Sequence, residues 1–347
     1  MLYYNFIYLL PALVVILNLK DKNKLYGFVE YFFLLLLVIF VGLSYQIGGD
    51  WIWYLKNFEI FGNINIFEFN YSYNYGFVFI NWFFYKIGAS YYFVKIFCAL
   101  LLVISIKYFF TSFKIDRLLA YCIFFPLGIV IISMGFVRQG CAMSFLMISL
   151  TFLLNKKYLQ SYIFFLIGVS FHKSMLIFFP ILYIISPKYK LIVPFILLIF
   201  IYFFYDHLYL LIKIYLGSEK GVHYDVSRGS YIRTIMTLIP AVLFITFFNL
   251  FDIQIIAKKI LLYFSIFIII ISFLTILYPT FVDRMLLYLV FFQAIIYSLF
   301  CELFSLKNKM YLKSIFVLTY LFILNFFLNF GFHSNFWIPY KNILLYL

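Results

Sequence analysis

Apolar residues run along this chain in blocks close to the ~20 that a helix needs to cross hydrocarbon, and only short polar clusters separate them. The blocks predict spans near 2 to 19, 27 to 46, 91 to 110, 118 to 136, 138 to 154, 159 to 171, 174 to 187, 191 to 207, 231 to 250, 259 to 278, 285 to 304 and 311 to 330, about twelve crossings. Two of them, 159 to 171 and 174 to 187, are short and meet at "FHKS", which predicts a pair of short or tilted helices whose junction lies partway into the membrane. The segment "YGFVFINWFFYKIG", Tyr75 to Gly88, is also short and predicts an interfacial or re-entrant helix on the outer face. There is no long polar block, no linker and no internal repeat. The expected fold class is therefore all-α: a polytopic integral membrane protein whose residues 1–347 form a single transmembrane domain. The first run lacks a basic segment before it and ends in "NLKDKNK", as a retained helix does and a signal peptide does not.

Composition agrees with this pattern: 67% of residues are hydrophobic and 11% charged, against about 25% charged in a soluble domain. A formal charge of +14 would also suit a nucleic-acid binder, but the basic residues lie mostly in short loops. The clusters Lys20/Lys22/Lys24, Lys114/Arg117, Lys156/Lys157, Lys188/Lys190, Lys258/Lys259 and Lys307/Lys309/Lys313 fall on alternate loops, so the positive-inside rule makes all six cytoplasmic and turns both termini outward. Membrane lipids with anionic headgroups are then the counter-ions, and no nucleic-acid partner is expected. The outer face is left with residues 47–90, the Val137 to Gln139 turn, the His172 junction, the loop 207–230, the "YPTFVDR" turn and the final segment from Gly331. Cys98, Cys122, Cys141 and Cys301 all fall inside apolar runs without metal or redox spacing, so neither disulfides nor zinc are inferred.

Lysine outnumbers arginine by 21 to 5, which raises the question of why arginine was used where it is. Only Arg117 falls on the cytoplasmic side; Arg138, Arg228, Arg233 and Arg284 all fall on the outer side. An arginine fork grips phosphate or carboxylate oxygens at two points and keeps its charge, so the four together suit an anionic ligand such as a pyrophosphate. The structural alternative is snorkelling or local ion pairing, Arg284 with Asp283 and Arg228 with Asp225. Arg138 stands in "SMGFVRQGCAMS" between Gly135 and Gly140, with Gln139 as a neutral donor and acceptor. Those glycines allow close approach of a headgroup, or simply a tight turn. His172 stands alone between two apolar half-helices, either as a proton-transfer group near neutral pH or as a hydrogen-bonded packing residue. His207, His223 and His333 show no metal spacing. In "SYQIGGDWIWY", Asp50 can orient a sugar hydroxyl, act as a base, or cap a helix that begins near Trp51. Trp51, Trp53 and Tyr54 fit an interfacial aromatic belt or a sugar-stacking surface. No Walker sequence, Rossmann glycines or paired acids of a nucleotide-sugar metal site occur, and no cofactor is expected.

Taken in order, "GGDWIWY", "RQGCAMSFLMISL", "FHKSMLIFFPILYI", the basic outer loop, "DRMLLYLVFF" and the closing "IPY" resemble the EpsG/Wzy family of polysaccharide polymerases over nearly the whole chain. The resemblance implies a glycosyltransferase of the bacterial cytoplasmic (inner) membrane, with its site facing outward. It would join undecaprenyl-pyrophosphate-linked oligosaccharide repeat units into O-antigen, capsule or exopolysaccharide. It carries the family's "G-D-x-x-x-Y" element onto Gly49, Asp50 and Tyr54, its "R-Q" element onto Arg138 and Gln139, its histidine onto His172, its later arginine onto Arg284 and its "P-Y" onto Pro339 and Tyr340. On this view Arg138, Arg228, Arg233 and Arg284 bind the pyrophosphate, and His172 or Asp50 takes the acceptor proton. Trp51, Tyr54, Gln139 and Tyr340 contact sugar, and direct displacement without a metal inverts the anomeric carbon. A chain-length regulator and a flippase of the same pathway are the implied partners. The alternatives are an O-antigen ligase-like transferase, which favours a larger outer loop, and a flippase or transporter of lipid-linked oligosaccharide. The last predicts pseudo-symmetric halves and charge at mid-membrane depth.

Overall fold

The computed structural model describes residues 1–19, 24–65, 74–186 and 229–345. They are helical almost throughout, with no strand among them beyond a single bridge between Ser44 and Asn342. In chain order the helices are α1 (Leu2–Ile16), α2 (Lys24–Gly42), α3 (Trp51–Asn63), α4 (Tyr75–Lys86), α5 (Tyr91–Ser112), α6 (Arg117–Phe124), α7 (Val137–Leu154), α8 (Tyr158–Phe171), α9 (Phe179–Ile185), α10 (Ser230–Thr246), α11 (Ile255–Phe273), α12 (Pro279–Leu287), α13 (Val290–Glu302) and α14 (Leu306–Phe330).

Six of the described helical segments are long and apolar enough to cross a membrane: Lys24–Gly42, Tyr91–Ser112, Arg117–Gly135, Val137–Leu154, Ile255–Ile276 and Leu306–Phe330. A seventh is reached if α12 and α13, bent by 60° at their junction, form one broken span. The expected twelve segments can be followed one by one. Those near 2 to 19, 159 to 171, 174 to 187 and 231 to 250 are apolar helices of fewer than 18 residues, and the one at 191 to 207 lies outside the described residues. Helix α4, at 12 residues, is about 18 Å long at 1.5 Å per residue, short of the hydrocarbon thickness.

The middle of the bundle is the Arg117–Gly135 segment, every residue of which from Leu118 onward is buried. Asp116 starts it by accepting a hydrogen bond from the Leu119 amide at 3.3 Å. Pro126 then brings no N–H to the ladder, and from Phe125 to Gly135 the winding widens to a π-helix. The Ser133 hydroxyl accordingly donates to the carbonyl of Gly128, five residues back, at 2.7 Å. Helices α1, α2, α5, α13 and α14 pack around this segment. On the outside, α2 turns Leu25, Phe28, Phe32, Leu35 and Ile39 away from the protein at helical spacing, an apolar face that suits lipid.

One end of the central segment is clamped by ion pairs. Arg117 donates to both oxygens of buried Glu30 at 2.7 and 2.9 Å. Tyr121 donates to Glu30, Tyr26 donates to Asp116, and Lys313 pairs with Asp116. This ties α2, α6 and α14 together. The candidate functional residues collect at the other end.

Candidate functional site

The central segment ends at Gly135, against two other parts of the chain. Gly48, with φ +92°, lies so close that an added Cβ would stand 2.8 Å from the Gly135 Cα. On Gly135 itself a Cβ would come within 2.5 Å of the Trp337 ring. Hydrogen bonds fix this contact: the Gly48 amide donates to the Phe336 carbonyl at 2.9 Å, the Trp337 indole to the Val130 carbonyl at 3.0 Å, and the Tyr4 hydroxyl to the Trp337 carbonyl at 2.8 Å. The turn Gly48–Asp50 is thereby held beside the start of α7.

Arg138, in the first turn of α7, puts its guanidinium carbon 5.8 Å from the centre of the Tyr54 ring, a cation–π contact. Burial, with Asp50 adding and Arg138 opposing, pushes the Tyr54 hydroxyl up to about 12. Asp50 occupies the position that would cap α3, yet its side chain makes no cap hydrogen bond. The half-buried carboxylate is therefore not occupied in capping.

Gln139 donates to the carbonyl of Arg284 at 2.8 Å and so ties α7 to α12. Arg138 and Arg284 are both near enough to act electrostatically on His172. His172 lies in the extended turn after α8, outside the six long spans. Burial first, and then the two guanidiniums, hold its imidazole well below the ordinary value, so it stands neutral. Its Nδ1 lies 2.6 Å from the Ser174 hydroxyl and 2.8 Å from the Tyr288 hydroxyl, which are 3.0 Å from each other. Neither Arg138 nor Arg284 forms an ion pair among the described residues. The arrangement offers two uncompensated forks and a neutral ring nitrogen, which together can bind an anion and accept a proton.

The other expected residues are placed differently. Asp283 pairs with Arg233 across helices, at 2.6 and 2.7 Å, and not with its neighbour Arg284. Trp51 is buried, packed edge-on against Tyr45 and Tyr91 and tilted against Tyr92. Tyr340 is also buried, stacked 4.6 Å from Phe40 with its hydroxyl donating to the Phe40 carbonyl at 2.9 Å. Neither aromatic presents an open face for a sugar. Arg228, His207, His223 and most of the loop 207–230 lie outside the described residues, and His333 sits between the rings of Phe332 and Phe336. No group of His, Cys, Asp or Glu among the described residues could hold a metal ion.

Sequence reasoning missed four residues here. Ser174 belongs to the "FHKS" junction, and Tyr288 follows Arg284 by one helical turn, a spacing that could have flagged it. Lys173, also in the junction, is buried with its ammonium 5.9 Å from the centre of the Tyr75 ring. Lys95 is buried and donates to both the carbonyl and the hydroxyl of Ser44, at 2.5 Å each, so it holds the chain just before the Gly48 turn.

The sequence model of the EpsG family matches residues 27–342, a stretch that contains every candidate residue from Asp50 to Tyr340. Nothing among curated proteins or solved structures matches the chain.

Proposed function

The chain belongs to the EpsG family, which suggests a membrane protein of polysaccharide biosynthesis, and from that premise we propose that it polymerises lipid-linked oligosaccharide repeat units. The observation that carries the reading is that Arg138 and Arg284, neither in an ion pair among the described residues, both act on His172. Keeping such charges at a helical bundle's end costs free energy, and an anionic substrate would offset it.

In this reading the donor is the growing glycan on undecaprenyl pyrophosphate, and the acceptor is a sugar hydroxyl of the incoming unit on the outer face of the bacterial cytoplasmic membrane. The hydroxyl oxygen attacks the anomeric carbon of the donor. The bond from that carbon to the pyrophosphate oxygen breaks, and the configuration inverts. Charge grows on the departing pyrophosphate, where the forks of Arg138 and Arg284 stabilise it. His172 accepts the proton of the attacking hydroxyl once the bound pyrophosphate offsets the two guanidiniums that otherwise oppose its protonation; Asp50 is the second candidate. Arg233, bound to Asp283, supports Arg284 through the shared helix, and Arg228 is a further pyrophosphate ligand carried by the outer loop. Gln139 and Tyr54, both buried, hold Arg284 and Arg138 in place.

The test is a polymerase-deficient strain that makes the matching repeat unit, carrying wild type, Arg138→Ala or His172→Ala at equal membrane abundance. Surface polysaccharide is then resolved by size. A ladder from wild type and single units from both variants is the expected result. Normal ladders from both variants would overturn the site, and repeat units that never reach the outer face without this protein would replace the polymerase by a flippase.

A further inference from the structure

Packing alone would leave His172 needing one partner for Nδ1, because a ring nitrogen carries either one hydrogen or one lone pair. The structure supplies two hydroxyls at hydrogen-bond distance, from separate elements, and bonds them to each other. Ser174 comes from the turn that follows His172, and Tyr288 from the 60° bend between α12 and α13. The Tyr288 ring is fully buried and packs edge-on against Phe178 at 5.6 Å, so its hydroxyl is fixed in place. The opposite nitrogen, Nε2, has no hydrogen-bond partner among the described residues, and His172 as a whole is half-buried.

We infer that Ser174 and Tyr288 are positioning residues that grip the Nδ1 edge of His172 and present its Nε2 to the space beside Arg138 and Arg284. The inference rests on the proposed function for what Nε2 then does, while the grip itself is a property of the fold. Two hydroxyls at one edge hold the ring in one orientation, and when Nδ1–H donates to one of them Nε2 keeps the lone pair that a proton acceptor needs. The bend delivers both partners of the site at once, since Tyr288 stands one turn beyond Arg284 on the same element.

The experiment uses full-length protein labelled with 15N-histidine in detergent, as wild type, Tyr288→Phe and Ser174→Ala, with His172 assigned by its loss in His172→Gln. The ring-nitrogen shifts are followed between about pH 5 and 9. Turnover is measured on lipid-linked repeat units extracted from membranes of a source strain lacking the protein. The wild type is expected to show one tautomer and each variant a mixture, with kcat down about tenfold, the worth of one hydrogen bond, and KM within about twofold. Phenylalanine keeps the packing on Phe178, and the alanine variant tests the grip independently should the first misfold. Ring-nitrogen shifts unchanged in both variants overturn the inference, as does a loss confined to KM. A wild type that makes no polymer removes the proposed function instead, and the shifts still decide the positioning.

Discussion

Replacing Gly48 by alanine is expected to dislodge the turn that carries Asp50, whereas the same change at Gly49 is not. Gly48 has φ +92°, on the left-handed side where a Cβ costs roughly 1–2 kcal/mol. That Cβ would also stand 2.8 Å from the Gly135 Cα and 3.1 Å from the Met134 carbonyl oxygen, inside the relaxed carbon contact of about 3.5–4.0 Å. Both neighbours are backbone of the buried central segment, so no side chain can swing aside and the turn itself must shift. Overpacking of this kind costs about 1–3 kcal/mol, giving a total of about 2–5 kcal/mol. At Gly49 the nearest atoms are ring carbons of Phe336 at 3.8 and 3.9 Å, an ordinary contact. The assay is the fraction of each variant that stays monodisperse in detergent after graded heating, set beside the polysaccharide ladder at matched abundance. A Gly48→Ala protein as heat-resistant and as active as wild type would refute the reasoning, and so would a Gly49→Ala protein equally damaged.

Other outcomes follow from the same geometry. Asp283→Ala leaves the Arg233 guanidinium without its bidentate carboxylate and is expected to cost about 3 kcal/mol, with part recovered in the double variant Asp283→Ala/Arg233→Ala; a thermal double-mutant cycle measures the coupling. Arg138→Lys keeps the charge but loses the fork and the guanidinium contact with the Tyr54 ring, so the ladder is expected to shorten sharply at unchanged abundance. The Tyr54 hydroxyl, raised from 10.0 to about 12 by burial, favours the folded state while protonated. That contribution is intact below 10.0 and is lost as pH climbs towards about 12, so heat resistance measured from about pH 9 to 11 should fall more steeply in wild type than in Tyr54→Phe.

The sequence predicted the helices well because hydrocarbon demands apolar runs, and each expected segment within the described residues is helical. Their crossing was less legible. Length from hydropathy does not reveal where a run stops being helix, as at the bend after Leu287 inside the expected 285 to 304 span. Arg138, Arg284 and His172 were readable as unusual residue types in a lysine-rich chain, and they do come together. Asp283 was read against its sequence neighbour, but successive helix residues point about 100° apart, and it reaches Arg233 on another helix instead. Tyr340 looked like a sugar contact because aromatic residues serve both roles; only packing on Phe40 separates the two. Ser174 and Tyr288 meet across 114 residues of sequence, a distance no local pattern spans.

Residues 336–343 lie along the start of the Gly48 turn, through Phe336 on the Gly48 amide, Lys341 on Tyr45 and Ile343 on Leu43. Ribosomes deliver a chain in sequence order, so these residues emerge long after the turn and the Gly135 end that they join. A half-synthesised copy can already have helices in the lipid and the Lys95 hold on Ser44, but it lacks this second clasp on the turn. The Gly48 turn is thus closed from this side only once residues 336–343 have emerged.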